Sequence, residues 1–237
     1  QFDASLEWYF ARVGSLTLNG FYKEIENFFF QDITSRDITS NGITRNVLVR
    51  GPANFDGTGK IKGFELAYQQ TYEFLPAPFD GFGIQANYTY IDSSGLPNTF
   101  LNAGTPVSES TVPPGNLPLE QLSKHNFNFT GFYEKGPISL RGAYNWRSRF
   151  LLTASDVIYP YYSIFNEPTG QLDASIFVNV SDIFELPGDI RIGVQGVNLL
   201  NEVTETSQAY SGDPDQLVPR SFFMNDRRFS FILRGQF

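Results

Sequence analysis

The segment Arg228-Phe229-Ser230-Phe231-Ile232-Leu233-Arg234-Gly235-Gln236-Phe237 decides how the rest of the chain is read. One face carries Phe229, Phe231, Leu233, Gly235 and Phe237; the other carries Arg228, Ser230, Ile232, Arg234 and Gln236. Successive side chains of a strand point to opposite faces, so this period of two predicts a strand lying between an apolar and a polar medium. The same alternation recurs upstream. Phe2, Ala4, Leu6, Trp8 and Phe10 oppose Asp3, Ser5, Glu7 and Tyr9; Phe82, Ile84, Ala86, Tyr88 and Tyr90 oppose Gly83, Gln85, Asn87 and Thr89. Leu172, Ala174, Ile176, Val178 and Val180 oppose Gln171, Asp173 and Ser175. Weaker versions fall at residues 15–25, 62–74, 125–134, 138–149 and 190–198, which makes nine predicted strands. Each is about ten residues long, whereas globular strands cluster near five or six and a tilted membrane-crossing strand needs about 9–11.

The connections carry a second signal. Links at 11–14, 75–81, 135–137 and 185–189 are short and rich in Gly and Pro; those at 31–59, 93–122, 151–169 and 199–226 are long and polar. Short turns at one end of a sheet and long loops at the other is the arrangement of an outer-membrane barrel. Aromatic residues gather at both ends, Tyr9, Phe10, Phe74, Phe79, Phe82, Tyr133 and Phe184 near the short turns and Phe28, Phe29, Tyr90, Trp146 and Phe150 near the long loops, as girdles at headgroup level would. The predicted fold is all-β, an antiparallel up-and-down transmembrane β-barrel. A soluble β-sandwich that binds carbohydrate is the competing fold, and it accounts for neither strand length, loop asymmetry nor an aromatic content of 16%.

Composition removes several function classes. Among the 237 residues there is no Cys, so thiolate metal sites and cysteine nucleophiles are excluded, and a net charge of −8 argues against nucleic acid. The one His, His125, stands beside Lys124 at a strand start and gives no basis for a catalytic triad. Gly57-Thr58-Gly59-Lys60 lacks the spacing and the helix of a phosphate loop, and Asp213-Pro214-Asp215 reads as a solvated loop. No catalytic residue, metal site or cofactor is expected. Transport function would reside on the polar face, where parity places Arg141, Asn145, Arg147 and Arg149, the last two near the mouth. Guanidinium groups there suit carboxylates, phosphates or hydroxyl-rich ligands, or else pair with Glu65, Glu73 or Asp173. Loop aromatics such as Tyr162 and Tyr210 are candidates for stacking on a ligand.

Several segments, in order, resemble the C-terminal part of the barrel of TonB-dependent outer-membrane receptors. Ser5-Leu6-Glu7-Trp8-Tyr9-Phe10 with Gly14-Ser15-Leu16-Thr17-Leu18-Asn19-Gly20-Phe21-Tyr22 is similar to one of that family's hairpins. Val197-Asn198-Leu199-Leu200-Asn201-Glu202 is similar to its penultimate-strand motif, and residues 227–237 to its closing strand. The resemblance implies that residues 1–237 are the last nine or so strands of a barrel of about 22, with a plug domain and the first strands upstream. It implies an importer of a scarce nutrient, such as a ferric siderophore, a cobalamin-like cofactor or an oligosaccharide, coupled to the TonB energy-transducing complex through the plug. It also implies that Phe229, Phe231, Leu233 and Phe237 form the signal read by the barrel assembly machinery, that the C-terminus is periplasmic, and that the long loops are extracellular. A passive porin-like or structural barrel is the alternative.

Overall fold

The computed structural model describes residues 1–96, 117–154, 156, 162–210 and 215–236, without the side chains of 30–33 and 50. All nine predicted strands are present. They are β1 (Phe2–Ala11), β2 (Gly14–Ser40), β3 (Ile43–Thr71), β4 (Phe82–Ser94), β5 (His125–Lys135), β6 (Ile138–Arg147), β9 (Thr169–Asn179), β10 (Asp189–Val197) and β13 (Arg228–Gln236). They form one antiparallel sheet in the order β1-β2-β3-β4-β5-β6-β9-β10-β13. Each strand therefore pairs with its sequence neighbours in the wall, and β1 and β13 each keep one open edge among the described residues.

The register separates two faces. At one level Leu6, Leu18, Leu66, Tyr88, Phe127 and Trp146 are successive cross-strand neighbours. One residue along, on the opposite face, Thr17, Ala67, Asn87, Asn128, Asn145 and Gln171 succeed one another. Asn128 donates its amide to Asn87 Oδ1 at 2.6 Å, so the polar face is laced by its own side chains. The apolar face is the uncovered one: Trp8 is 60% exposed and Phe231 73%. A sandwich in water would bury such a face against a second sheet. Rings cluster at both ends of the apolar face: Phe82 lies 4.8 Å from Tyr133 and Trp8 5.2 Å from Phe10 at the short turns, and Tyr90 lies 5.6 Å from Phe64 and 5.3 Å from His125 at the other end.

In their described residues, three of the long connections contain strand that their polarity does not predict. Residues 31–59, expected as a loop, are strand. Beyond Tyr22, where β1 leaves, and Lys60, where β4 leaves, β2 and β3 pair only with each other as far as a turn at Asn41-Gly42. This ribbon projects about 50 Å at 3.4 Å per residue. Its turn has φ of 51° at Asn41 and 78° at Gly42, the left-handed pair that suits a two-residue hairpin. Polar side chains pair across it, Ser35 with Asn46 at 2.5 Å and Thr39 with Thr44 at 2.8 Å, while Val47 and Val49 supply β-branched stiffness.

Residues 151–169 and 199–226 likewise contain strands: β7 (Phe150–Thr153), β8 (Ile164–Asn166), β11 (Val203–Ala209) and β12 (Leu217–Met224). They form a second sheet in the order β12-β11-β8-β7. That order repeats β13-β10-β9-β6, so four wall strands continue outward after a short break. The second sheet carries the one buried apolar cluster found among the described residues, Leu117, Leu151 and Phe165.

Asn198 makes the corner between the two sheets. It is 3% exposed with φ of 54°, and its backbone N–H donates to Asp173 at 2.9 Å. Its side chain accepts from Glu202 N–H at 2.8 Å and donates to the Glu202 and Asn225 carbonyls. Three predicted strand ends also move. The strand expected over 62–74 stops at Thr71, before Pro76 and Pro78. That expected over 138–149 stops at Arg147. That expected over 171–181 stops at Asn179, whose side chain accepts from Ser181 N–H at 3.1 Å and caps a short helix, α1 (Val180–Phe184).

Candidate functional site

At the long-connection end, a segment returning to β5 crosses the polar face of the wall. Leu117 anchors it in the apolar cluster, and Gln121 N–H donates to the Leu151 carbonyl at 2.7 Å. The Glu120 carboxylate accepts from Ala154 N–H at 2.7 Å. Between residues 119–122 and the polar face of β1–β4 lies a cavity of about 880 Å³. Asp3, Asn19, Phe21, Lys23, Glu65 and Ile91 line it, with Phe28 at the base of the projecting ribbon. Gly63 makes room for one wall: a Cβ there would stand 2.1 Å from the Tyr90 carbonyl oxygen and 2.7 Å from the Phe21 ring, so the ring lies across a bare backbone.

Strand parity places Asn145 and Arg147 on this polar face, beside Asn128 and Asn126 of β5. Arg147 holds the returning segment. Its Nε donates to Ser123 Oγ at 2.9 Å, one Nη reaches the Gln121 carbonyl at 3.5 Å, and the guanidinium lies 3.8 Å from the centre of the Phe150 ring. Arg149 falls in the break after β6, outside the wall's alternation, and its guanidinium is ion-paired with Glu167 at 2.8 Å. Tyr162 and Tyr210 flank strands of the outer sheet, Tyr162 before β8 and Tyr210 just after β11. The Tyr162 carbonyl accepts from Asp156 N–H at 3.2 Å, and Tyr210, 58% exposed, closes the end of β11 through a bond to the Gln216 carbonyl at 3.2 Å. The structure therefore brings Asn145 and Arg147 to one wall and leaves Arg149, Tyr162 and Tyr210 above it.

The carboxylates named as partners for the arginines take other ones. Glu73 pairs with Arg12 at 2.6 Å, and Asp173 accepts from Gln171 and from Asn198 N–H, both at 2.9 Å. The Glu65 carboxylate makes no hydrogen bond or ion pair among the described residues. Of the charged residues that line the cavity, Asp3, Lys23 and Glu65 on the wall escaped the sequence reading as a site although the same parity places them there, because that reading favoured the arginine-rich strand. Phe229, Phe231 and Leu233 stand on the apolar face opposite Gly196, Val194 and Ile192; Phe237, like Asp213 and Pro214, lies outside the described residues. His125 bonds the Tyr88 hydroxyl at 2.6 Å on the apolar face, away from the cavity. No group of three or more His, Asp and Glu converges on one point among the described residues.

An open antiparallel wall with one face for lipid and one for a polar lumen defines a piece of a transmembrane β-barrel. Comparison with known proteins gives it a family. Residues 1–199 match the family described as TonB dependent receptor-like, beta-barrel, and the chain belongs to that family of the bacterial outer membrane. Among solved structures it is similar to the outer membrane transporter YddB from Escherichia coli, with a TM-score of 0.55 and 14% identity. The match covers 97% of this chain and 31% of the transporter, so the chain spans about a third of that protein's length. No curated protein matches it in sequence.

Proposed function

We propose that the chain is the C-terminal portion of the wall of an active outer-membrane importer. In this reading residues 1–237 supply the last nine strands of a barrel of about 22, and a plug domain and the remaining strands are encoded upstream. The cavity beneath the returning segment carries the proposal, because it places polar and charged side chains on the lumen side at the end where the connections are long. Those connections face the exterior, and the short turns and the C-terminus face the periplasm. A scarce nutrient, of the ferric siderophore, cobalamin-like or oligosaccharide kind, is captured at this mouth, and the TonB complex supplies the force that displaces the plug. Asn145 lines the mouth directly; Arg147 shapes it through residues 121–123, which it holds. Arg149, Tyr162 and Tyr210 set the outer rim. During assembly Phe229, Phe231, Leu233 and Phe237 are presented to the barrel assembly machinery. No covalent step is involved.

The test uses the intact receptor in cells. Accumulation of one of these nutrient types that stops when the proton-motive force is collapsed, together with a plug-like domain in the upstream coding sequence, is the expected result. Uptake that persists without the proton-motive force would assign a passive barrel instead.

A further inference from the structure

The charges at the mouth are unevenly spent. Arg147 is committed to Ser123, Gln121 and Phe150, and Arg149 to Glu167. On the wall of the cavity, by contrast, the Glu65 carboxylate has no partner among the described residues, and Asp3 accepts only a side-chain bond from the neighbouring Gln1 at 2.5 Å. In the register Asn19 stands between Ser5 and Glu65, which sets the two carboxylates two strands and two residues apart, about 12 Å across the cavity. Between them lies the face of Phe21, over which the Lys23 ammonium already sits at 5.5 Å from the ring centre. Aromatic faces attract cations through their quadrupole, so the cavity holds a tethered cation where a ligand's charge would fit.

The surroundings act in the same sense. Among the described side chains of residues 26–59, 92–124, 148–168 and 199–227, the outward part of the structure, 11 Asp and Glu stand against 6 Lys and Arg. The described outward part is therefore net acidic. A cleft lined by one sign of charge concentrates the opposite sign and speeds its arrival.

We infer that this cavity receives a positively charged ligand, its cationic groups held by Glu65 and Asp3 and its body lying against Phe21 and Phe28. The assignment rests on the importer reading only in taking the cavity to open toward incoming ligand. It narrows the substrate to cations or cationic complexes and disfavours anionic chelates and phosphates.

The full-length receptor in detergent tests it with two dyes of similar size, cationic rhodamine 6G and anionic fluorescein, by fluorescence anisotropy. Rhodamine 6G is expected to bind at least about tenfold more tightly and to weaken as salt rises. Glu65→Gln and Asp3→Asn each weaken it several-fold, whereas Lys23→Gln, which removes the resident cation, tightens it. Equal affinity for the two dyes, a preference for fluorescein, or indifference to Glu65→Gln would overturn the proposal. The outcome is separate from that of the transport test. Energy-dependent uptake of an anionic nutrient with Glu65→Gln silent would sink the charge assignment alone, and charge-selective dye binding without energy-dependent uptake would sink the importer alone.

Discussion

Asn198 shows how much one side chain can do at a corner. Its backbone adopts a left-handed φ of 54° that Asn tolerates better than most residues, and its buried amide satisfies groups on both sides of the bend. Replacement by Ala leaves Glu202 N–H and two carbonyls without that partner. Loss of about 2–3 kcal/mol is expected, read as a lower midpoint of urea unfolding in detergent, with β11 and β12 exchanging amide hydrogens before the wall. A second residue-scale effect concerns acid. The Asp80 carboxyl, in the turn between β3 and β4, is held below the usual carboxylate range chiefly by a hydrogen bond from Lys135. A depressed carboxyl stabilises the fold above its ordinary pKa, and that contribution disappears as the pH falls through the lower folded value. Asp80→Asn should therefore lower the thermal midpoint at neutral pH, and the gap from the parent protein should close as the pH falls below about 4. A gap unchanged across that window would show that Asp80 acts without its charge. The sequence marked Asn198 as part of a motif. It did not reveal what the residue joins, since Asp173 and Asn225 are brought to it only by the fold.

Among the elements, the ribbon of β2 and β3 is where local chemistry matters most. A two-stranded hairpin has no sheet to lean on, and its geometry depends on its turn. With Asn41-Gly42 changed to Ala-Ala, the positive φ at both positions becomes strained. Hydrogen exchange across residues 34–49 should accelerate by at least about tenfold while β4–β6 stay protected; uniform protection in the variant would mean that packing, not the turn, holds the ribbon. The alternation that exposed the wall strands was hard to see here because both ribbon faces mix charges, threonines and valines, so no clean apolar side exists. Asn41-Gly42 was the legible signal, a two-residue turn flanked by β-formers, and it was outweighed by the polarity of its surroundings. The outer-sheet strands were hidden for a related reason: β8 has three residues and β7 four, too short for a period of two to show.

At the scale of the whole molecule, the two faces make opposite demands on substitution. Leu66, amid the apolar ladder, faces lipid, whereas Gln85, on β4, faces the lumen. Leu66→Arg should destabilise the inserted barrel by about 2–4 kcal/mol if it lies near the midplane, and Gln85→Arg should leave insertion intact, both read from the heat-modifiable gel mobility of the full receptor. Equal effects would contradict the face assignment. The wall was legible in the sequence because a bilayer forces strict alternation over about ten residues, strand after strand. The cavity was less so, since its carboxylates come from β1 and β3 and its cover from the segment before β5, three places that alternation alone does not bring together.

The outer sheet repeats the strand order of the wall beneath it, and this bears on how the receptor is made. Its four strands are drawn from two separate connections, so none of its interior pairs across those connections can form until β6, β9, β10 and β13 have come into register. The β7–β8 and β11–β12 pairs each lie within one connection and can form earlier, so the β8–β11 pair that joins them is the late one. An interior in which Ser163, Asn166, Thr206 and Ser207 accompany only a few large apolar residues suits that late joining, because a surface poor in sticky groups can wait in water and close last.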